Sequence, residues 1–312
     1  MTASRSGSPR GRSDDNGAYS DVGRFQERVR RIVADRLKAA ASSLGAAGEV
    51  VGLVHGKMLR TRFAGKLAAA VATPPAGATL ARACAAVEMV HTASLYHDDV
   101  IDSGLIRRAR PTLWRTTGAS AAVLIGDILL CEAMGLLLDT EGGRHVRPFV
   151  AKVSEVCLGE AEQEFVLRGR QWDEETCLRI ARAKTGPLFA FGAGVSGGAD
   201  RDLCRALEEA GYRIGTAYQL ADDLLDVLGR EDVAGKTLGT DGARGKFTLA
   251  HASKEGRRSI AGHIARQCGS GLDCLARWPA ARDTLAGFIA CDLLPLFCRC
   301  ELGLERCLSF AS

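Results

Sequence analysis

The sequence predicts an all-α protein, and three observations support that fold class. Aromatic residues make up only 5% of the 312 residues, and alanine and leucine stand where sheets favour β-branched and aromatic side chains. No alternation of apolar and polar residues typical of strands survives counting. Apolar residues recur at helical spacing, first in the stripe of Val22, Phe25, Val29, Ile32, Val33 and Leu37.

The chain divides by composition into three parts. Residues 1–20 are rich in Ser, Gly and Arg without periodicity, which predicts a disordered tail. Residues 21–294 carry helical patterns with no linker between them, so we expect a single helical domain. Residues 295–312 form a cysteine-rich end to which the sequence assigns no role.

Charge and cysteine usage exclude several functional classes. The net charge of +4 is weak and the basic residues do not alternate with stacking aromatics, so no nucleic-acid partner is predicted. The eleven cysteines are scattered without a C-x-x-C pair and no signal peptide is visible, which favours reduced thiols in a cytoplasmic protein. The apolar run 119–138 contains Asp127 and Glu132, so we predict a core helix and no membrane-spanning segment.

The predicted helices follow one another in a simple order. The first covers residues 21–41, and a turn at 73–77 introduces the helix that carries the first acidic cluster. Helices through 119–138, past Gly159 and over 211–228 follow. Between them, Lys184-Thr185-Gly186-Pro187 interrupts an apolar helical run, which predicts a kink whose freed carbonyls can face a cavity.

The first acidic cluster is Asp98-Asp99-Val-Ile-Asp102. In a helix Asp98 and Asp102 lie one turn apart on the same face, and Asp99 can still reach the same rim. Taken alone, such a cluster could equally be a solvated acidic helix face.

A second acidic cluster makes that simple reading untenable. Asp222-Asp223-Leu-Leu-Asp226 repeats the spacing far downstream, with Gln219 three residues earlier on the same face. Two carboxylates about 5 Å apart repel by roughly 3 kcal/mol at an effective dielectric near 20. A hard divalent cation relieves that repulsion, and Mg²⁺ is usually held by one or two carboxylates together with substrate phosphates. The two clusters therefore predict Mg²⁺ bridging protein carboxylates to a diphosphate.

Basic residues flank both clusters. Lys57 and Arg60 follow a glycine turn at the start of a helix, where backbone N–H groups also favour anions, although a surface charge pair has the same pattern. Arg107 and Arg108 follow the first cluster in a probable loop, where they can bind phosphate oxygens. Lys236 and Lys246 lie in a glycine-rich loop after the second cluster, a segment able to close over a phosphate.

In the order and spacing of these motifs, roughly residues 22 to 290 resemble the trans-isoprenyl (polyprenyl) diphosphate synthases, and the medium- and long-chain members among them. The resemblance implies long antiparallel helices around a deep central cavity, usually in a homodimer. It also implies Mg²⁺ dependence and head-to-tail condensation of isopentenyl diphosphate onto an allylic diphosphate.

The resemblance further implies a role for each matching residue. Asp98, Asp102 and Asp222 would ligate Mg²⁺ on the allylic diphosphate, with Asp99, Asp223 and Asp226 in the same motifs. Arg107, Lys184 and Lys236 would contact that diphosphate, whereas Lys57, Arg60, His91 and Arg108 would bind isopentenyl diphosphate. His91 could also be an ordinary core histidine. Thr185, Gln219 and the carbonyl of Lys184 would face the developing allylic cation.

The chain departs from the family pattern at four positions without losing a charged ligand. His55 and Ala109 stand where the family usually has glycine, and Thr61 and Ala250 stand where proline is common. Two other functions share parts of the pattern, namely a class I terpene cyclase and a non-catalytic subunit of a heteromeric synthase. A cyclase has no use for the second set of basic residues, and a non-catalytic subunit would be expected to have lost aspartates.

Product length follows from the positions four and five before Asp98, which are Ser94 and Ala93. In the family that the chain resembles, members that stop at fifteen carbons tend to place an aromatic residue at one of these two positions. Both residues are small here, which favours products of roughly thirty to forty carbons, with twenty as the shorter alternative. Tyr96 is bulky and could narrow the space for the growing product chain from the side.

Overall fold

The structure is a computed structural model that describes residues 19, 21–43, 56–108, 110–228, 245–246, 248–251 and 254–297. Nearly all of the N-terminal tail, the loop segment with Lys236, and the chain from residue 298 onward lie outside these residues. The predictions of a disordered tail and of a phosphate contact by Lys236 therefore stay predictions.

The described chain is almost entirely helical, as the sequence predicts. Its α-helices are α1 (Val22–Ser43), α2 (Leu59–Ala69), α3 (Gly77–Ile101), α4 (Leu113–Thr117), α5 (Ala119–Leu138), α6 (Val146–Glu162), α7 (Glu174–Ser196), α8 (Arg201–Leu228), α9 (Lys254–Cys274), α10 (Pro279–Phe288) and α11 (Leu294–Phe297). Short 3₁₀ turns lie at Glu141–Gly143 and Leu249–His251, and π-helical turns at Gln163–Leu167 and Ile289–Leu293.

The helices bury two apolar clusters. The first joins α2, α7, α8 and α9 with the C-terminal helices, and Phe63 stacks at its centre on Phe189 and Phe288. The second joins α1, α3, α5 and α6, with Phe149 against Phe191 of α7 at a ring-centroid distance of 4.9 Å. Because α3 is packed by α1, α2, α5 and α7, it lies in the middle of the molecule and is buried along most of its length.

Glycines let α7 and α8 pack closely. A Cβ atom on Gly215 would lie 2.6 Å from the Cα atom of Gly186, and one on Gly211 would lie 2.6 Å from the Cα atom of Ala190. No side chain fits between backbones at that separation, so these positions require glycine. The close approach places the Lys184–Thr185 turn of α7 directly against the Gln219 turn of α8.

The helix α7 continues through Gly186 and Pro187, where Gly186 serves the close approach to α8, and the kink expected there stays a prediction. Two other sequence predictions change in detail. A two-residue antiparallel pair, β1 (Ile106–Arg107) with β2 (Arg110–Pro111), forms where a loop was expected. The helix α8 begins at Arg201, ten residues before the predicted start.

The sequence predicts a core helix at 119–138, but only one face of α5 is buried. Leu129, Ala133 and Leu136 are buried against α3, whereas Leu124 and Leu138 are about 60% exposed. Within the described residues, α5 is the one helix long and apolar enough, by length and composition, to cross a membrane, and 33% of its most apolar window is buried. Its outer face is therefore apolar surface.

The α7–α8 packing predicts a large difference between two glycine-to-alanine changes. Gly215→Ala should destabilise the protein by about 2–3 kcal/mol because its methyl group overlaps the backbone of Gly186. Gly269→Ala in α9 is the matched control, since nothing lies within 4 Å of that position, and it should be neutral or stabilise by up to about 1 kcal/mol. Urea unfolding of both variants tests this, and equal effects would contradict the described packing.

Candidate active site

Side chains from both apolar clusters line one cavity of about 740 Å³. Its walls come from α2, α3, the β1 strand, α6, α7, α8 and the C-terminal helix α11. Many charged residues line this cavity. They are Lys57, Arg60, Glu88, Asp98, Asp99, Asp102, Arg107, Arg108, Glu160, Lys184, Asp222 and Asp226, together with Arg30 of α1.

Asp98 and Asp102 face this cavity from the last turn of α3. Burial and the neighbouring Glu160 carboxylate raise the pKa of Asp98 to about 7, although Lys184 opposes that shift. Asp102 caps the C-terminus of α3, and Lys246 donates to its Oδ1 atom at 2.8 Å. The helix therefore presents two carboxylates to the cavity, one turn apart, as the spacing predicts.

Asp99 has a different partner. Its side chain is almost fully buried, and it accepts Arg107 Nε at 2.8 and 3.0 Å and Arg107 Nη2 at 2.7 Å. One residue further along a helix rotates the side chain by about 100°, which carries Asp99 from the Asp98 face toward the β1 strand. The structure thus pairs Asp99 with the arginine that the sequence assigned to a phosphate.

All three aspartates of the first cluster line the cavity, whereas the second cluster divides. Asp222 and Asp226 line the cavity, whereas Asp223 does not. Gln219 donates its Nε2 to Asp223 Oδ1 at 2.7 Å, and the Thr185 hydroxyl donates to Gln219 Oε1. This hydrogen-bonded chain fixes the side chain of Gln219 between α7 and α8.

The carboxylates fit a divalent cation only in combination with further ligands. Within the described part of the chain, no three His, Cys, Asp or Glu side chains lie close enough together to hold a metal ion. The donor set is nevertheless all oxygen and faces the cavity from α3 on one side and α8 on the other. That arrangement suits Mg²⁺, which keeps waters and shares its coordination between one or two carboxylates and phosphate oxygens.

A group of basic residues occupies another part of the cavity. Arg60 lies with its guanidinium 5.1 Å from the centre of the Phe189 ring, and its Nε is buried without a hydrogen bond in the described structure. Burial lowers the pKa of His91 well below its ordinary value, and Arg60, Arg108 and Arg107 lower it further. His91 is therefore a neutral donor and acceptor at pH 7, beside cations suited to bind an anion.

A buried carboxylate that sequence reasoning missed lies beside these arginines. Glu88 is 6% exposed, and its Oε1 accepts the Thr61 hydroxyl at 2.7 Å and the Thr61 backbone N–H at 3.3 Å. Its charge opposes the lowering of the Arg60 pKa that burial causes. Thr61, one of the departures from the family pattern, thus holds in place the Glu88 carboxylate, which offsets the charge of Arg60.

Lys184 and Lys246 complete the acidic side. Lys184 donates to Gln163 Oε1 at 2.6 Å and pairs with Glu160 at 3.1 Å. Lys246 is buried, and although burial opposes it, the hydrogen bond to Asp102 holds the pKa of Lys246 above its ordinary value. Both lysines therefore lie charged between carboxylates of different helices.

The turn before α2 and the β1 strand meet at Gly56. A Cβ atom there would lie 2.7 Å from Arg108 Nη2, so the guanidinium occupies the space that a side chain would fill. Arg108 itself has a left-handed backbone, with φ of 53°, and so does Met58, with φ of 47°. Two such non-glycine residues beside one cavity are typical of a functional site.

The structure brings together most of the predicted site residues. Lys57, Arg60, His91, Arg107, Arg108, Lys184, Thr185 and Gln219 all line the cavity with the aspartates named above. Of the two proposed length-determining positions, Ser94 lines the cavity, whereas Ala93 is fully buried in the second apolar cluster. Tyr96 is also buried in that cluster, away from the cavity lining.

Glu88 and Glu160 are the principal residues that the sequence analysis did not single out. A signal for Glu88 existed, because it stands three residues before His91 and continues the helix face that leads to Asp98. Glu160 could be placed only once the packing of α6 against α7 was known.

Comparison with known proteins identifies relatives of this chain. The profile of the family described as polyprenyl synthetase matches residues 44–263. The geranylgeranyl diphosphate synthase of Mycobacterium tuberculosis (strain ATCC 25618 / H37Rv) is 35% identical over 237 residues, which cover 73% of this chain and 63% of that protein. The octaprenyl diphosphate synthase of Haemophilus influenzae (strain ATCC 51907 / DSM 11121 / KW20 / Rd) is 35% identical over 184 residues, 57% of this chain and 56% of that protein. The aligned segment thus spans less than two thirds of either relative.

Solved structures share the fold. The polyprenyl synthase from Caulobacter crescentus CB15, complexed with calcium and isoprenyl diphosphate, matches with a TM-score of 0.68 at 24% identity, covering 97% of this chain and 98% of that one. The geranylgeranyl pyrophosphate synthase from Corynebacterium glutamicum, complexed with isoprenyl diphosphate and magnesium, has the same TM-score and identity and covers 90% and 99%. The prediction of an all-α, isoprenoid synthase-like fold is confirmed.

Proposed function

Because the chain belongs to the polyprenyl synthetase family, we propose that it is a prenyltransferase that joins isopentenyl diphosphate head-to-tail to an allylic diphosphate. The observation that carries this proposal is the division of one cavity into two anion sites. Carboxylates of α3 and α8 with Lys184 form one, where Lys246 is bonded to Asp102 without lining the cavity, and Arg60, Arg108 and neutral His91 form the other.

The acidic side is assigned to the allylic diphosphate. Asp98, Asp102 and Asp222 would hold Mg²⁺ there, and Lys184, which lines the cavity, and Lys246, which is bonded to Asp102, would contact the same phosphates. When bound, Mg²⁺ would neutralise charge on the departing diphosphate and so favour ionisation of its C–O bond. Asp99 and Asp223 are assigned to orient Arg107 and Gln219, because each is hydrogen-bonded to that neighbour.

The basic side is assigned to isopentenyl diphosphate. Lys57, Arg60 and Arg108 would bind its phosphate oxygens, and the neutral imidazole of His91 would donate a further hydrogen bond. With that diphosphate held, the double bond of isopentenyl diphosphate can attack the allylic cation.

The groups around the allylic cation would be neutral oxygen atoms and apolar side chains. Thr185, Gln219 and the carbonyl of Lys184 would stabilise the positive charge by their oxygen dipoles. Leu95, Val156 and Leu188 line the same cavity and would limit the access of water, which would otherwise quench the cation. The proton lost at the end of the condensation would pass to the released diphosphate.

Asp98→Ala and Asp222→Ala should each reduce turnover on the order of 10³-fold or more, because each removes a metal-binding carboxylate. The assay combines purified protein, Mg²⁺, labelled isopentenyl diphosphate and allylic primers of several lengths, with products identified by mass. Circular dichroism checks that the helices are retained. Asp283→Ala, at an exposed position of α10, is the control and should leave turnover unchanged.

The same assay separates the proposal from its alternatives. A terpene cyclase would consume the allylic substrate alone, and a non-catalytic subunit would form no product without a second polypeptide. Either result with the wild-type protein would overturn the proposal, and so would wild-type turnover in the aspartate variants.

We further propose products of at least twenty carbons, with thirty to forty as the best estimate, because small Ser94 lines the cavity one turn before Asp98. Ser94→Phe should shorten the product by one or more five-carbon units with little effect on the first condensation. Ser94→Ala is the matched control and should leave product length unchanged. Mass analysis tests both variants, and a wild-type product of fifteen carbons, or no shortening by phenylalanine, would refute the length assignment.

We also propose that the protein is a homodimer, joined through the outer faces of α5 and α6. Leu124 and Leu138 on α5 and Val150 and Leu158 on α6 are exposed, and an apolar area built by two adjacent helices is typical of an interface. A second copy of this chain fits best because such stripes are self-complementary about a two-fold axis. The cytoplasmic location stays a prediction.

Leu124→Glu combined with Leu158→Glu should convert the dimer to a monomer, because both charges would be buried in the interface. Sedimentation velocity gives the mass directly. Leu105→Glu, at an exposed leucine away from the two helices, is the control and should remain dimeric. A monomeric wild-type protein, or one that dimerises only with a different subunit, would refute the proposal.

A further inference from the structure

The turn that carries Lys57 into the cavity has an unfavourable backbone. Met58, directly before α2, adopts φ of 47° and ψ of 48°, the left-handed region that costs a non-glycine residue free energy. Its side chain is 4% exposed and packs in the second apolar cluster. Something in the surrounding structure must therefore hold the turn in this conformation.

Gln26 of α1 makes the contacts that do so. It is 7% exposed, and its Nε2 donates to the carbonyl oxygen of Lys57 at 3.1 Å and to that of Met58 at 3.3 Å. The Met58 carbonyl also accepts the Arg62 backbone N–H at 2.9 Å, the first hydrogen bond of α2. One amide group thus binds both carbonyls of the turn at the point where the helix begins.

The position of Gln26 is itself well determined. The next residue toward the N-terminus, Phe25, packs on Gly65 of α2 so closely that a Cβ atom there would lie 2.8 Å from the ring. Val29 and Val33 continue the buried face of α1. This packing of α1 on α2 holds the backbone of Gln26 next to the turn.

We propose that Gln26 is a positioning residue for the isopentenyl diphosphate site, acting through the backbone of Lys57 and Met58 on the side chains of Lys57 and Arg60. This inference rests on the proposed function of that site. Gln26 lies outside residues 44–263, the region that matches the family profile, and it does not line the main cavity. It lines a smaller pocket that shares Arg30 and Lys57 with that cavity, and its hydrogen bonds to the turn are the route by which it would act.

The first test is Gln26→Met, which keeps the length of the side chain and removes the donor. The KM for isopentenyl diphosphate should rise about tenfold, because two hydrogen bonds to the turn are lost, while kcat and the KM for the allylic substrate stay within about twofold. Arg28→Met, at an exposed position two residues further along α1, is the matched control and should change neither KM. Equal rises in both KM values would show a merely structural role and overturn the proposal.

The second test uses the strain at Met58. Glycine adopts a positive φ without steric cost, so in a Met58→Gly background the turn depends less on the Gln26 amide. The effect of Gln26→Met on the KM for isopentenyl diphosphate should then fall to about threefold or less. An undiminished effect in that background would show that Gln26 does not act through the turn.

A binding measurement keeps the inference separate from the proposed function. Calorimetric titration of the wild-type and Gln26→Met proteins with isopentenyl diphosphate, without an allylic substrate, reports on the basic site alone. A loss of affinity of about tenfold is expected, and unchanged affinity would overturn the proposal. A wild-type protein that binds isopentenyl diphosphate yet forms no prenyl product would refute the proposed function and leave this comparison decisive for Gln26.

Discussion

The cavity brings like charges close together, and opposite charges must offset their repulsion. The rest of the site depends on this constraint. Carboxylates from α3, α6 and α8 face the same space as four arginines, and each set repels itself. The protein holds both sets with ion pairs between different segments of the chain. Asp102 pairs with Lys246, Glu160 with Lys184, and Asp99 with Arg107. Because the partners come from separate elements, the helices must keep their relative positions for the site to exist.

The close packing of α7 against α8 supplies part of that rigidity. Gly186 and Gly215 bring the two backbones together, and the hydrogen bond from Thr185 to Gln219 forms one residue from that contact. A wider separation would pull Thr185 away from Gln219 and release Asp223. The packing of small residues in the core is thus directly linked to the orientation of polar groups in the cavity.

The distribution of polarity across α3 and α5 follows from the same architecture. α3 is enclosed by other helices, and its charged residues line the cavity except Arg82 in its second turn, which donates to the carbonyl oxygen of Asp139. α5 packs on α3 with its small and apolar residues and leaves leucines on the outside. A helix in this position therefore has two apolar faces, which explains why composition alone makes it resemble a membrane span.

The sequence by itself determined the helical class, the main helices and the residue types of the cavity. Helical periodicity and the spacing within Asp98–Asp102 and Asp222–Asp226 are local properties, and so they can be read without a structure. The tertiary structure decided which partner each charge has. Neighbouring aspartates such as Asp98 and Asp99 look alike in sequence and both line the cavity, yet a rotation of about 100° per residue gives only Asp99 the ion pair with Arg107. Glu88, Thr61 and Gln26 acquire their roles only when α1, α2 and α3 pack together, because a hydrogen bond between distant segments depends on side-chain positions that no local pattern encodes.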